Sequence, residues 1–295
     1  MSKNNKLLIG SSFLIIAVIS YFVIQEFNSR HRVKVKPSGE IMIQNIDQDG
    51  GLFILDLEKE EKKHFLKQEN VNDPVFVLES NDILFVSYFL SQDKTKYFSK
   101  IKLFNFVTKQ IEEITSLSYE VRYPDLLSNK RISFIDNDGY IHLFDLQSKE
   151  DTILYNVGRL DDDAIEISWG KNYENFLISA RGKIYQYSLK TKQKNYIADG
   201  FTPTFSKDYS RIAYISPDQG RKLVIMDLAT RQKQIIKDTG EVVLISWSPD
   251  GKSIAYIRGS KYYLSDFFEL SILDVKSRLT KKVLSLRNPS RISWR

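Results

Sequence analysis

Ile135-Asp-Asn-Asp-Gly-Tyr-Ile-His-Leu-Phe-Asp-Leu146 and Ile46-Asp-Gln-Asp-Gly-Gly-Leu-Phe-Ile-Leu-Asp-Leu57 share six of twelve positions without a gap. Each reads as the end of one strand, an Asp-Gly turn that accommodates positive φ, and a second apolar strand closing on an aspartate. Two copies of a hairpin at repeat spacing make a repeat protein the first hypothesis.

Two signals recur outward from this pair. The first is a short hydrophobic strand starting at Ile41, Ile83, Ile132, Phe176, Ile212 and Ile254, with separations of 42, 49, 44, 36 and 42 residues. The second is an apolar–polar–apolar closure: Leu55-Asp56-Leu57, Phe104-Asn105-Phe106, Phe144-Asp145-Leu146, Tyr187-Ser188-Leu189, Met226-Asp227-Leu228 and Leu273-Asp274-Val275. A short polar turn and another apolar run follow each closure. Six such units of about 40 residues are the signature of propeller blades. The composition agrees, since Tyr and Phe dominate the 13% aromatic content and both favour strands.

A further strand precedes the hydrophobic one in several units, as in Ile165-Glu-Ile-Ser-Trp169 and Leu244-Ile-Ser-Trp247. The first unit has none, because residues 30–40 are polar and basic. Arg291-Ile-Ser-Trp294 supplies the missing piece at the other end of the chain. A C-terminal strand that completes the N-terminal blade closes the ring and removes two sheet edges. The expected fold is therefore all-β: a six-bladed β-propeller over 38–295, closed by the C-terminal strand.

Trp247-Ser-Pro-Asp-Gly-Lys-Ser-Ile-Ala-Tyr256 resembles the blade repeat of TolB-like (WD-type) propeller proteins, and Phe205-Ser-Lys-Asp-Tyr-Ser-Arg-Ile-Ala-Tyr214 is a looser copy. The resemblance spans 38–295 and is strongest in the last two units. It implies a scaffold that binds other proteins. The separate N-terminal domain of TolB itself is missing, with an apolar segment in its place, so TolB's role in envelope assembly does not transfer. Some TolB-like propellers are polysaccharide lyases that hold a metal through histidines; here His31, His64 and His142 lack ligand spacing.

Leu7 to Ile24 runs eighteen residues without a charge, roughly 27 Å as a helix, enough to cross a hydrocarbon core. The expectation is a tail at 1–6, a transmembrane anchor at 7–24 and a basic juxtamembrane linker at 25–37. A cleaved signal peptide is the rival, with Val18-Ile19-Ser20 as its cleavage motif, but the apolar run continues past it. The signal-anchor arrangement favours an extracytoplasmic propeller, periplasmic or extracellular. Residues 1–36 carry +5 of the formal charge of +6, and the other 259 residues hold 37 basic and 36 acidic groups. A nearly neutral propeller has no basic footprint for nucleic acid, so no nucleic-acid partner is expected.

The chain has no cysteine, which excludes disulfides, thiolate metal sites and cysteine nucleophiles. It also lacks a Gly-x-Ser-x-Gly elbow. Asp47-Gln-Asp49-Gly50 and Asp136-Asn-Asp138-Gly139 resemble half a calcium loop without its distal glutamate, and read better as hairpin turns. No catalytic residue, cofactor or metal is assigned. Partner contacts are expected on the face where hairpin tips and inter-blade connections emerge together: Asp136 and Asp138, the triplet Asp161, Asp162 and Asp163, and the loop tyrosines Tyr262 and Tyr263. The expected function is a membrane-anchored protein-interaction scaffold in the cell envelope. The alternatives are a carbohydrate-binding, hydrolytic or lyase propeller with a central-funnel site, and an accessory regulatory subunit of another membrane protein.

Overall fold

The computed structural model describes residues 37–45, 51–66, 70–77, 80, 82–92, 94, 96–128, 130–158, 166–218, 220–259, 267–287 and 289–295. The expected anchor at 7–24 lies outside them. So do Asp47, Asp49, Asp161, Asp162, Asp163, Tyr262 and Tyr263. Residues 37–295 form one compact unit.

The described strands assemble into six four-stranded antiparallel sheets. From the inner strand outward, blade 1 is Pro289–Trp294, Glu40–Asn45, Gly51–Asp56 and Glu61–Phe65. Blade 2 is Asn72–Phe76, Ile83–Leu90, Tyr97–Phe104 and Ile111–Leu117; blade 3 is Val121–Ser128, Arg131–Asp136, Tyr140–Asp145 and Asp151–Asn156. Blade 4 is Ile167–Trp169, Asn175–Ala180, Lys183–Ser188 and Lys194–Asp199; blade 5 is Phe201–Phe205, Arg211–Ile215, Leu223–Asp227 and Lys233–Ile235. Blade 6 is Glu241–Trp247, Ser253–Gly259, Phe267–Asp274 and Thr280–Arg287.

Each blade is covered on both faces by its neighbours, so its second strand must be apolar at consecutive positions rather than alternating. Ile212, Ala213, Tyr214 and Ile215 are all buried, as are Ile254, Ala255, Tyr256 and Ile257. Outer strands such as Glu61–Phe65 face water and are charged, which keeps the rim from pairing with other chains. Buried clusters join each successive pair of blades, and one joins the last to the first: Ala255, Ile257, Leu270 and Ile272 pack against Ile41, Ile43, Phe53 and Leu55. The ring is closed. The C-terminal strand is the clasp, pairing antiparallel with Glu40–Asn45 in the register Ile41↔Trp294 and Ile43↔Ile292.

The recurrent closing polar residue has a local cause. Asp56 Oδ1 accepts the amides of Glu58 and Lys59, at 3.0 and 3.1 Å. Asp145 Oδ1 does the same for Gln147 and Ser148 at 2.9 Å, and Asp274 Oδ1 for Ser277 at 2.6 Å. Such turns start the last hairpin of each blade, with Asn105 in blade 2, Asp227 in blade 5 and Ser188 in blade 4. Their amide bonds hold the Asp56 and Asp145 carboxyls below the usual aspartate range.

The central channel as candidate functional site

Six inner strands surround the axis, and strand pairing defines equivalent positions on them. The residues opposite the first apolar residue of each second strand (Ile41, Ile83, Ile132, Phe176, Ile212 and Ile254) are Trp294, Phe76, Leu126, Trp169, Phe205 and Trp247. All three tryptophans of the chain occupy this layer and line one cavity of about 580 Å³. Each indole N–H is satisfied: Trp169 by Ser133 Oγ at 2.8 Å, Trp247 by the Thr204 carbonyl at 3.2 Å, and Trp294 by the Ser38 carbonyl at 3.1 Å. Tyr173, Lys207 and Tyr209 extend this wall.

Three residues earlier on the same strands stand Arg291, Asp73, Tyr123, Glu166, Thr202 and Leu244. In blades 2, 3 and 5 this residue is left-handed and precedes a proline: Asp73 at φ 46°, Tyr123 at 54° and Thr202 at 46°. The ladder shifts register there. Proline has no N–H to leave unpaired, so it suits such a bulge, and the bulge re-aims the neighbouring side chains.

This layer, with Asp125 two residues beyond Tyr123, carries Arg291 and the three acids that act on it. Asp125, Glu166 and the half-buried Arg291 line the same cavity; these two acids and Asp73 act electrostatically on Arg291, whose guanidinium sits 5.0 Å over the Tyr123 ring. Burial opposes the charge on Arg291, yet Glu166, Asp73, Tyr123 and Asp125 together raise its pKa. Burial pushes the Asp125 carboxyl up to about 6 against the pull of Arg291, and raises Glu166 as well. Burial lifts the Tyr123 phenol to about 12, with Asp73 and Glu166 adding to the effect. Arg291 Nη1 is buried and has no hydrogen-bond partner among the described residues. Asp73 is used in part, since its Oδ2 accepts the Tyr123 amide at 3.2 Å.

The hydroxyls at the wall are turn elements. Ser248 Oγ donates to Asp250 Oδ1 at 2.6 Å and accepts the Ser253 amide at 2.9 Å; Ser206 and Asp208 repeat the pattern. The Ser-Pro-Asp-Gly motif therefore builds the turn after the inner strand. Serine hydrogen bonds hold the Asp208 carboxyl down to about 2. Among the described residues no group of three or more His, Cys, Asp and Glu side chains has metal-holding geometry.

Of the acids expected to contact a partner, the described Asp136 and Asp138 do not line this cavity. Asp136 ends the second strand of blade 3, where its Oδ1 accepts the Tyr140 amide at 2.8 Å and its Oδ2 lies 3.1 Å from His142 Nε2. The buried His142 ring bridges to Asp151 at 2.9 Å from Nδ1 and stacks on Phe134. Hairpin register creates this bridge, which sequence spacing does not reveal. Asp138 is exposed at the adjoining turn. The Val157 amide bonds the Gly139 carbonyl at 2.9 Å, so this hairpin tip and the connection to blade 4 do emerge on one face.

With this geometry in place, comparison with solved structures identifies the architecture. The fold is that of the TolB-like propellers. TolB from Acinetobacter baumannii superposes with a TM-score of 0.70 at 20% identity, over 91% of this chain and 69% of that one. A nidogen/laminin complex gives 0.63 at 12% identity, over 88% and 98%. An oligogalacturonate lyase in complex with manganese gives 0.52 at 13% identity, over 84% and 74%. No protein-family model and no curated protein matches the chain.

Proposed function

We propose that the protein is a membrane-anchored propeller scaffold that binds another protein at the cell envelope, its propeller on the extracytoplasmic side and its partner engaged at the central channel. The observation that carries this is the axial cavity of about 580 Å³, walled by Trp169, Trp247 and Trp294 with Tyr173 and Tyr209 beside them. Tryptophan and tyrosine at a concave site are the residue types that dominate binding hot spots. The eighteen-residue apolar segment supports attachment to a membrane. A solved nidogen/laminin complex contains this fold in a protein–protein assembly. An acidic sugar fits the layer around Arg291 poorly, because three carboxylates act there on a single guanidinium, Lys207 standing beyond the tryptophan layer.

The test is photo-crosslinking in cells that make the full chain. One variant carries benzoylphenylalanine at position 209, beside the cavity; another carries it at 107, where Val107 is 88% exposed on an outer turn. Crosslinked polypeptides specific to position 209, identified by mass spectrometry, support the proposal. Identical products at both positions, or none at 209, refute it.

A further inference from the structure

We propose that the charged layer of the channel is a receptor for one cationic side chain, lysine or arginine, carried on the partner's polypeptide, with Arg291 Nη1 receiving a backbone carbonyl of the same segment. This rests on the channel being the partner site and names the chemistry that the partner must bring.

Charge balance decides the sign of the ligand. Asp73, Asp125 and Glu166 stand on three successive blades, against the single guanidinium of Arg291. With all four groups ionised the layer carries a surplus of two negative charges, in a setting that burial already makes unfavourable for Asp125 and Glu166. An arriving cation reduces that surplus, whereas an arriving anion meets it. The orphaned Nη1 adds an independent requirement, because a buried N–H without an acceptor is costly until something supplies one. A lysine or arginine within a peptide brings both the cation and the carbonyl. A metal ion is a poor fit, since the described acids do not converge into a ligand set. Trp169, Trp247 and Trp294 line the same cavity, an aromatic surrounding that suits an organic cation better than an inorganic one.

The site is coupled to pH. Asp125 is faced by Arg291, and Arg291 in turn by Asp73, Tyr123 and Glu166, so protonation of Asp125 removes one of the three negative charges. A cation therefore binds less tightly as pH falls through about 6.

The experiment uses the full chain in mild detergent and reads its own fluorescence, since all three tryptophans line the cavity. Capped pentapeptides Ala-Ala-X-Ala-Ala are titrated with X as Lys, Arg, Gln or Glu, alongside butylamine. Saturable binding of the Lys or Arg peptide is expected, at least about tenfold tighter than Gln or Glu, which is the effect of roughly one buried charge contact. It should weaken several-fold between pH 7.5 and 5. Asp125→Asn with Glu166→Gln should abolish the preference for basic peptides while the variant still melts cooperatively, at or above the temperature of the unaltered chain; the pH series on the unaltered chain gives a measure independent of any variant. Equal binding of the Gln or Glu peptide, no binding of the basic peptides, or full affinity in the double variant overturns the proposal. Butylamine binding as tightly as the Lys peptide overturns its peptide part. If crosslinking at position 209 still captures a partner in any of these cases, only the cationic assignment falls and the scaffold stands.

Discussion

Removing the Trp294 side chain tests whether the ring depends on its clasp. Trp294 is 4% exposed and packs in the cluster that joins blades 6 and 1. Its indole N–H donates to the Ser38 carbonyl at 3.1 Å. The strand it sits on contributes paired bonds between Glu40 and Arg295, at 2.9 and 3.0 Å. Arg295 also pairs with Glu40 and lies 4.4 Å over both Phe76 and Phe106, reaching into blade 2. Truncating a buried tryptophan to alanine costs about 3–5 kcal/mol. That is a large share of a domain's ~5–15 kcal/mol. At about 2–4 °C per kcal/mol for a chain of this size, Trp294→Ala should lower Tm by roughly 6–20 °C. Trp294→Phe keeps most of the packing and loses the bond to Ser38, so it should cost only about 1 kcal/mol. The assay is thermal melting of the full chain in detergent, followed by circular dichroism. Deleting 290–295 should be worse than either substitution. A melting point within about 2 °C of the unaltered protein for the alanine variant or the deletion would refute the clasp, because untethered chain ends tolerate trimming.

Gly39→Ala should destabilise by at least ~1–3 kcal/mol, since Gly39 has φ +96° and a Cβ there would lie 2.3 Å from the Arg295 carbonyl oxygen; an unchanged melt would contradict the close approach. Asp125→Asn should stabilise in a pH-dependent way. The folded carboxyl titrates at about 6 against roughly 3.9 when unfolded, so its charge costs nothing below about pH 4 and its full amount above pH 6. The variant should therefore melt with the unaltered protein at pH 4 and above it at pH 7.5, by a margin of order 1–3 kcal/mol; a gap of the same size at both values would show that the carboxylate is not the cause. For topology, alkaline phosphatase fused after Arg295 should be active and a cytoplasm-only reporter dark; the reverse pattern would move the propeller to the cytoplasm and make 30–36 an inner-leaflet basic patch.

The blade repeat was legible in the chain because its causes are local. A strand covered on both faces must be apolar at consecutive positions, and a hairpin must be started by a residue such as Asp56 or Asp145 that can hold two amides. Even the closure could be read, since Ile292-Ser-Trp294 copies Ile245-Ser-Trp247 and the first unit lacks a strand of this kind ahead of Ile41. The surroundings of His142 were not legible, for the opposite reason. Its partners Asp136 and Asp151 come from the strands on either side, and only hairpin register sets them against the ring.

The channel belongs wholly to the tertiary structure. Asp73, Asp125, Glu166 and Arg291 form no motif, and each reads alone as an ordinary polar residue near the start of a strand. Aligning the six units on Phe76, Leu126, Trp169, Phe205, Trp247 and Trp294 would have placed Asp73, Glu166 and Arg291 in one layer. What that alignment omits is that the layer faces inward, around a shared axis. Sequence determined the strands, turns and blade count through contacts between near neighbours. Rotation about the ring decided which charges meet, because it brings the same position of six distant units to a single point.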